Sequence, residues 1–168
     1  MSLVPRSVSR YRLLRGGLLL VVAMCVTRPA VADLTVFAGS TSSPARRPAF
    51  GAALGLSLAI LGVEVEYSAT RESVDTGAPA LTTGSFNLLL QTPGIGRFQF
   101  YGTTGAGVYQ TRRLGARNLG VITNVGGGVK LAIGGPVRVR IDYRISKLGG
   151  EALGSAPRRL YAGLNLAF

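Results

Sequence analysis

Two stretches hold most of the chemistry this chain can offer. In GVEVEYSA, from Gly62, the acids Glu64 and Glu66 alternate with Val63, Val65 and Tyr67. In VRVRIDYRIS, from Val137, Arg138, Arg140, Asp142 and Arg144 alternate with Val139, Ile141, Tyr143 and Ile145. Carboxylates facing guanidiniums suit ion pairing, because the planar guanidinium fork matches the two oxygens of a carboxylate. They do not suit hydrolysis. The chain contains no His, and its one Cys is Cys25, so the Ser–His and Cys–His pairings of nucleophilic catalysis are missing. Glu72, Asp75 and Glu151 lie in polar connecting segments and form no catalytic constellation. The glycines of GTTGAG, from Gly102, lack the Lys of a phosphate-binding loop. The residues point to a non-enzyme with no cofactor and no metal site.

Both stretches have a period of two, which is the mark of a strand with two different faces. The same period recurs in six further segments between residues 33 and 168. Residues 33–40 form the first. Residues 49–58 form the second, with Phe50, Ala52, Leu54, Leu56 and Leu58 opposite small residues. In the fourth, SFNLLLQ, Phe86, Leu88 and Leu90 oppose Asn87, Leu89 and Gln91. The fifth, residues 98–110, is glycine-rich and its facing stays open. NVGGGVKLAI puts Val125, Val129, Leu131 and Ile133 opposite Gly126, Gly128 and Lys130, and the eighth ends the chain as RRLYAGLNLAF. Connections after strands one, three, five and seven read as long and polar; those after two, four and six read as short. An even number of strands with long loops at one end and tight turns at the other is the layout of a membrane-spanning barrel.

The segment ahead of these strands reads differently. Arg6, Arg10, Arg12 and Arg15 precede the apolar block LLLVVAMCVT, and Ala30-Val31-Ala32 follows it. The block is about half the ~20 residues that a helix needs to cross a bilayer. A basic start, a short apolar centre and a small-x-small site make a secretory signal peptide. Cleavage is expected after Ala32, giving a leader over 1–32 and one domain over 33–168. Cys25 leaves with the leader. Five of the 19 basic residues leave as well, so 14 remain against 7 acids, a net charge of +7. For an exported basic protein the expected counterpart is anionic lipid rather than nucleic acid.

Alternation alone does not say which face meets solvent. A soluble barrel would bury the valines and expose the arginines, whereas a membrane barrel does the reverse. The small residues on the polar faces favour the second arrangement. Gly51, Ala53, Gly55, Gly126 and Gly128 would weaken a solvent-facing strand, but they make room for large side chains in a narrow lumen. Aromatic residues fall near expected strand ends, with Phe50, Tyr67, Phe86 and Tyr109 toward the loops and Phe98, Phe100 and Phe168 toward the turns. Two interfacial girdles are expected from them.

The leader, the eight alternating segments, GAGVY at Gly105, NVGGGVKL at Asn124, VRIDYR at Val139 and the terminal LNLAF together resemble small outer-membrane β-barrels of the OmpA/OmpX and opacity-porin type. The resemblance spans residues 33–168. It implies an all-β, eight-stranded antiparallel up-and-down barrel in the outer membrane. It also implies that the barrel-assembly machinery reads the terminal Phe168. The resemblance is to the barrel part of OmpA and not to its periplasmic peptidoglycan-binding domain, so a cell-wall tether is not expected.

Closing eight strands in order sets strand three opposite strand seven. Glu64 and Glu66 should then meet Arg138, Arg140 and Arg144 across the lumen, with Asp142 and Lys130 joining a salt-bridged plug. Arg46, Arg47, Arg71, Arg112, Arg113, Arg117, Arg158 and Arg159 gather at the loop end. They are expected to form a basic outer ring suited to lipopolysaccharide phosphates. The function this supports is a non-enzymatic, monomeric structural or surface-interaction protein. A narrow channel for small solutes is the alternative, and a secreted soluble barrel holding a small apolar ligand comes third.

Overall fold

A computed structural model describes residues 30–42, 45–113, 116–149 and 156–168. Most of them lie in eight strands: β1 (Val31–Ser42), β2 (Arg46–Leu58), β3 (Leu61–Thr70), β4 (Ala80–Gln91), β5 (Phe98–Arg113), β6 (Ala116–Gly134), β7 (Val137–Leu148) and β8 (Arg158–Ala167). Each pairs antiparallel with the next, and β1 pairs with β8 from Asp33↔Ala167 to Ser42↔Arg158. That last ladder closes the barrel and leaves no sheet edge, the condition for strands to cross a bilayer. The expected eight-stranded up-and-down barrel is therefore the fold observed.

Burial follows the pleat. On β3, Leu61, Val63, Val65 and Tyr67 are exposed while Gly62, Glu64, Glu66 and Ser68 are buried. Leu54 and Val65 are each 60% exposed on the outer wall, whereas Arg140 and Asp142 are 0% exposed inside it. Strand five, whose facing the sequence left open, points Tyr101, Thr103 and Tyr109 inward and Phe98, Phe100 and Val108 outward.

Five strands run further than their hydropathy announces. The segment TRRLGARNLGVIT, expected as a loop, is mostly a continuation of β5 and β6, paired as far as Arg113↔Ala116. β1 and β2 likewise take most of STSSPARRP, and β4 starts at Ala80 rather than Ser85. A ladder needs only backbone donors and acceptors. Above an apolar belt the side chains no longer have to alternate, so the pattern fades before the pairing does. The contrast of long links with tight turns remains at β3–β4 and β7–β8, against two-residue turns at β2–β3 and β6–β7. The β2–β3 turn lacks a turn signature because Ala59 takes the left-handed position (φ 53°), while Gly135 does so at β6–β7 (φ 54°).

Of the expected leader, 1–29 lie outside the described residues. Val31 and Ala32 already belong to β1, and Ala32 exchanges backbone hydrogen bonds with Phe168 at 2.9 and 2.8 Å. Processing after Ala32 would trim those contacts and leave the β1–β8 pairs from Asp33 onward.

Candidate functional site: a charged lumen and a basic rim

The lumen network is assembled from inward positions of β1 and of β3 to β8. Arg140 stands at its centre. One guanidinium nitrogen of Arg140 pairs with Glu64 Oε2, the other reaches Glu64 Oε1 at 3.3 Å and Asp142 Oδ2 at 3.1 Å, and Nε donates to the Tyr101 hydroxyl at 2.7 Å. The Tyr101 hydroxyl in turn donates to Asp142. Arg144 bridges three acids, with nitrogens 2.8 Å from Glu64, 3.0 Å from Glu66 and 3.0 Å from Asp142. Arg159 pairs with Glu66 and donates to Ser68 Oγ at 2.6 Å. Below the centre, Lys130 Nζ lies 2.7 Å from Asp33 and donates to Gln91 at 3.4 Å. Four acids (Asp33, Glu64, Glu66 and Asp142) thus meet four cations (Lys130, Arg140, Arg144 and Arg159). That balance matters, because a buried charge without a partner costs several kcal/mol, roughly what breaking a buried pair costs.

Aromatic rings complete the packing. The Arg140 guanidinium sits 4.8 Å from the Tyr101 centroid, and that of Arg159 sits 5.1 Å from Phe37 and 5.2 Å from Tyr161. Phe37 and Tyr161 stack at 4.0 Å. Glycines make this possible. A Cβ at Gly128 would lie 2.5 Å from the Tyr101 hydroxyl, and one at Gly126 would lie 2.8 Å from Arg144 Cγ. These are the close approaches for which the polar face of β6 keeps glycine.

Two cavities flank the network. A hydroxyl-rich one of about 30 Å³ on the loop side is lined by Thr41, Ser68, Thr83 and Ser85. A vestibule of about 290 Å³ opens on the turn side past Asp33, Gln91, Lys130 and Arg138. They share no lining residue, and Arg140, Glu64 and Tyr101 fill the space between them.

The sequence expectations meet this geometry unevenly. Glu64, Glu66, Lys130, Arg140, Asp142 and Arg144 come together. Arg138 does not face the acids: it sits near the turns, 3.4 Å from Gln99 Oε1. Two members of the expected outer ring turn inward instead. Arg159 alternates with outward Leu160 and so reaches Glu66. Arg47 is 4% exposed and donates to the carbonyls of Arg71 and Pro79, tying β2 to the β3–β4 link. Arg46, Arg71, Arg112, Arg117 and Arg158 are exposed at the loop end. The Arg113 side chain lies outside the described residues. Tyr109, expected in a girdle, faces inward and clusters with Leu81, Ile122 and Leu148. Phe86 lies mid-strand, paired with Val65 and Ala106.

Asp33, Phe37, Tyr101 and Tyr161 were missed. The signal for three of them was present: Asp33 and Phe37 oppose Leu34 and Val36, and Tyr161 opposes Leu160 and Ala162. For Tyr101 the neighbouring glycines hide the alternation.

An apolar outer wall around a charged, filled interior is the inverse of a soluble ligand-binding barrel, whose cavity would be apolar. Lipid is the solvent that suits the outer wall. The fold is that of the small outer-membrane β-barrels. The N-terminal barrel domain of Pseudomonas aeruginosa OprF superimposes with a TM-score of 0.64 at 14% identity, over 82% of this chain and 97% of that one. Neisserial surface protein A gives 0.62 at 14% identity, over 83% and 97%. Ail, the attachment invasion locus protein of Yersinia pestis, gives 0.57 at 13% identity, over 84% and 100%. At such identities the likeness is one of fold. No family model matches the chain, and no curated protein sequence matches it. Among the described residues of this outer-membrane-type barrel, no group of His, Cys, Asp and Glu could hold a metal ion.

Proposed function

We propose that this chain is an integral outer-membrane protein without enzymatic activity. In this reading its lumen is a structural plug, and it meets its surroundings through a basic outer rim. The inversion of burial carries the reading: Arg140 and Asp142 are fully enclosed while the apolar residues of the same strand, such as Ile141 at 48%, are exposed. The four lumen acids are engaged by cations, which leaves none of them available as a general base. The exposed arginines at the loop end suit the phosphates of lipopolysaccharide, which guanidinium binds in a bidentate fork. Assembly through recognition of Phe168, and a monomeric state, belong to the same proposal.

The test combines localisation with conductance. The expressed chain should fractionate with outer membranes, migrate faster on gels before boiling than after, and pass no steady ion current in planar bilayers. Recovery in the soluble periplasmic fraction, with no heat-dependent shift, would refute the reading. One observation favours the channel alternative: the 30 and 290 Å³ cavities abut the plug from both sides. A steady current through the unaltered chain would decide for it.

A further inference from the structure

The tall β5–β6 ribbon places Arg112 directly opposite Arg117, with Ala80 of β4 opposite Arg112 on the other side. Both arginines are exposed and share the outward face of the wall with Thr82 and Gln110. Together these five residues line a pocket of about 220 Å³. Among the described residues, no carboxylate lines it. Like charges directly across a ladder destabilise the pairing, so this sector is built at a cost unless an anion lies between the two guanidiniums. Thr82 and Gln110 add neutral hydrogen-bonding groups beside that position.

The register also bears on what such an anion would be attached to. One step down the same face, Gln110 pairs with Leu119, and one step further Val108 pairs with Val121. Leu119, Val108 and Val121 are 78%, 61% and 60% exposed. An apolar wall therefore begins about 7 Å beneath the arginines, two residues along a strand. A soluble anion would gain nothing from that wall, whereas a phosphorylated lipid would lay an acyl chain along it. We propose that Arg112, Arg117, Thr82 and Gln110 form a specific site for a phosphate of lipid A, with an acyl chain descending over Leu119, Val108 and Val121. This deepens the basic-rim reading and rests on it, narrowing phosphate binding from the whole ring to the sector of Arg112 and Arg117 and leaving Arg46 and Arg158 outside the site.

The test uses the chain folded in detergent micelles, with binding of diphosphoryl lipid A measured by calorimetry. Arg112→Ser/Arg117→Ser should weaken binding at least ~tenfold, while Arg46→Ser/Arg158→Ser, which removes equal charge elsewhere on the rim, should change it less than about threefold. Lipid A stripped of its phosphates should bind the unaltered chain no better than diphosphoryl lipid A binds the double variant. Inorganic phosphate at equal concentration should not displace the lipid. Arg117→Ser alone should raise the unfolding temperature without lipid and lose the further rise that lipid A gives the unaltered chain. Equal weakening by both arginine pairs would overturn the site, as would displacement by inorganic phosphate. Absence of the heat-dependent gel shift in the unaltered chain would instead refute the outer-membrane reading itself.

Discussion

Glu64 is shared by Arg140 and Arg144, whereas Glu66 is shared by Arg144 and Arg159. The two acids are not equivalent. Arg140 is wholly enclosed, and without Glu64 its carboxylate partner is Asp142 alone. Without Glu66, Arg144 keeps Glu64 and Asp142, and Arg159 keeps Ser68 and two rings at the loop end of the lumen. Breaking a buried pair from one side costs about 3–5 kcal/mol. Glu64→Ala should fall in that range and Glu66→Ala should cost about half as much. Urea midpoints of the folded barrel in lipid vesicles check the order, and a larger loss for Glu66→Ala would contradict it. At this scale the sequence was informative wherever a charge interrupted an apolar alternation. It was blind to Tyr101, whose hydroxyl links Arg140 to Asp142, because glycines around it erase the contrast between faces. It also misplaced Arg47 and Arg159. A basic residue near a loop reads as solvated, and only the strand's parity reveals that it turns inward.

Strand identity came from alternation, and strand length did not. β5 and β6 pair through residues whose side chains follow no hydropathic rule, since beyond the lipid both faces meet water. The short turns show the same limit. Gly135-Pro136 is legible because glycine accepts φ > 0 without strain, whereas Ala59 takes φ 53° with no signature at all. The Leu58↔Leu61 pairing imposes that conformation, since only two residues connect the strands. Holding an L-residue there costs about 1–2 kcal/mol, and glycine returns about 0.4–1 kcal/mol of that through unfolded-state entropy. Ala59→Gly should therefore stabilise the barrel by about 0.5–1 kcal/mol. A later midpoint in urea would confirm it. An unchanged or earlier midpoint would show that the left-handed alanine carries no strain worth relieving.

The molecule as a whole is a statement about solvent. Its period-two pattern is invariant to turning every strand inside out, so the sequence needed a further cue, and the small residues Gly51, Ala53, Gly126 and Gly128 supplied it. They are tolerated on the charged faces because those faces converge on a narrow lumen, where Arg140, Arg144 and the tyrosines claim the volume. The outer wall can be tested directly. Val65 lies midway along β3, 60% exposed, between Leu54 and Phe86, themselves 60% and 52% exposed. In water an arginine at such a position would be nearly neutral, within about 0.5 kcal/mol. Facing hydrocarbon near the bilayer midplane, it costs about 2–4 kcal/mol. Val65→Arg should accordingly lower the stability of the vesicle-embedded barrel by that amount. The same substitution should matter less toward the rim, as in Leu119→Arg, because the penalty falls toward zero at the interface. Equal and negligible effects at both positions would mean that water, not lipid, bathes the outer wall.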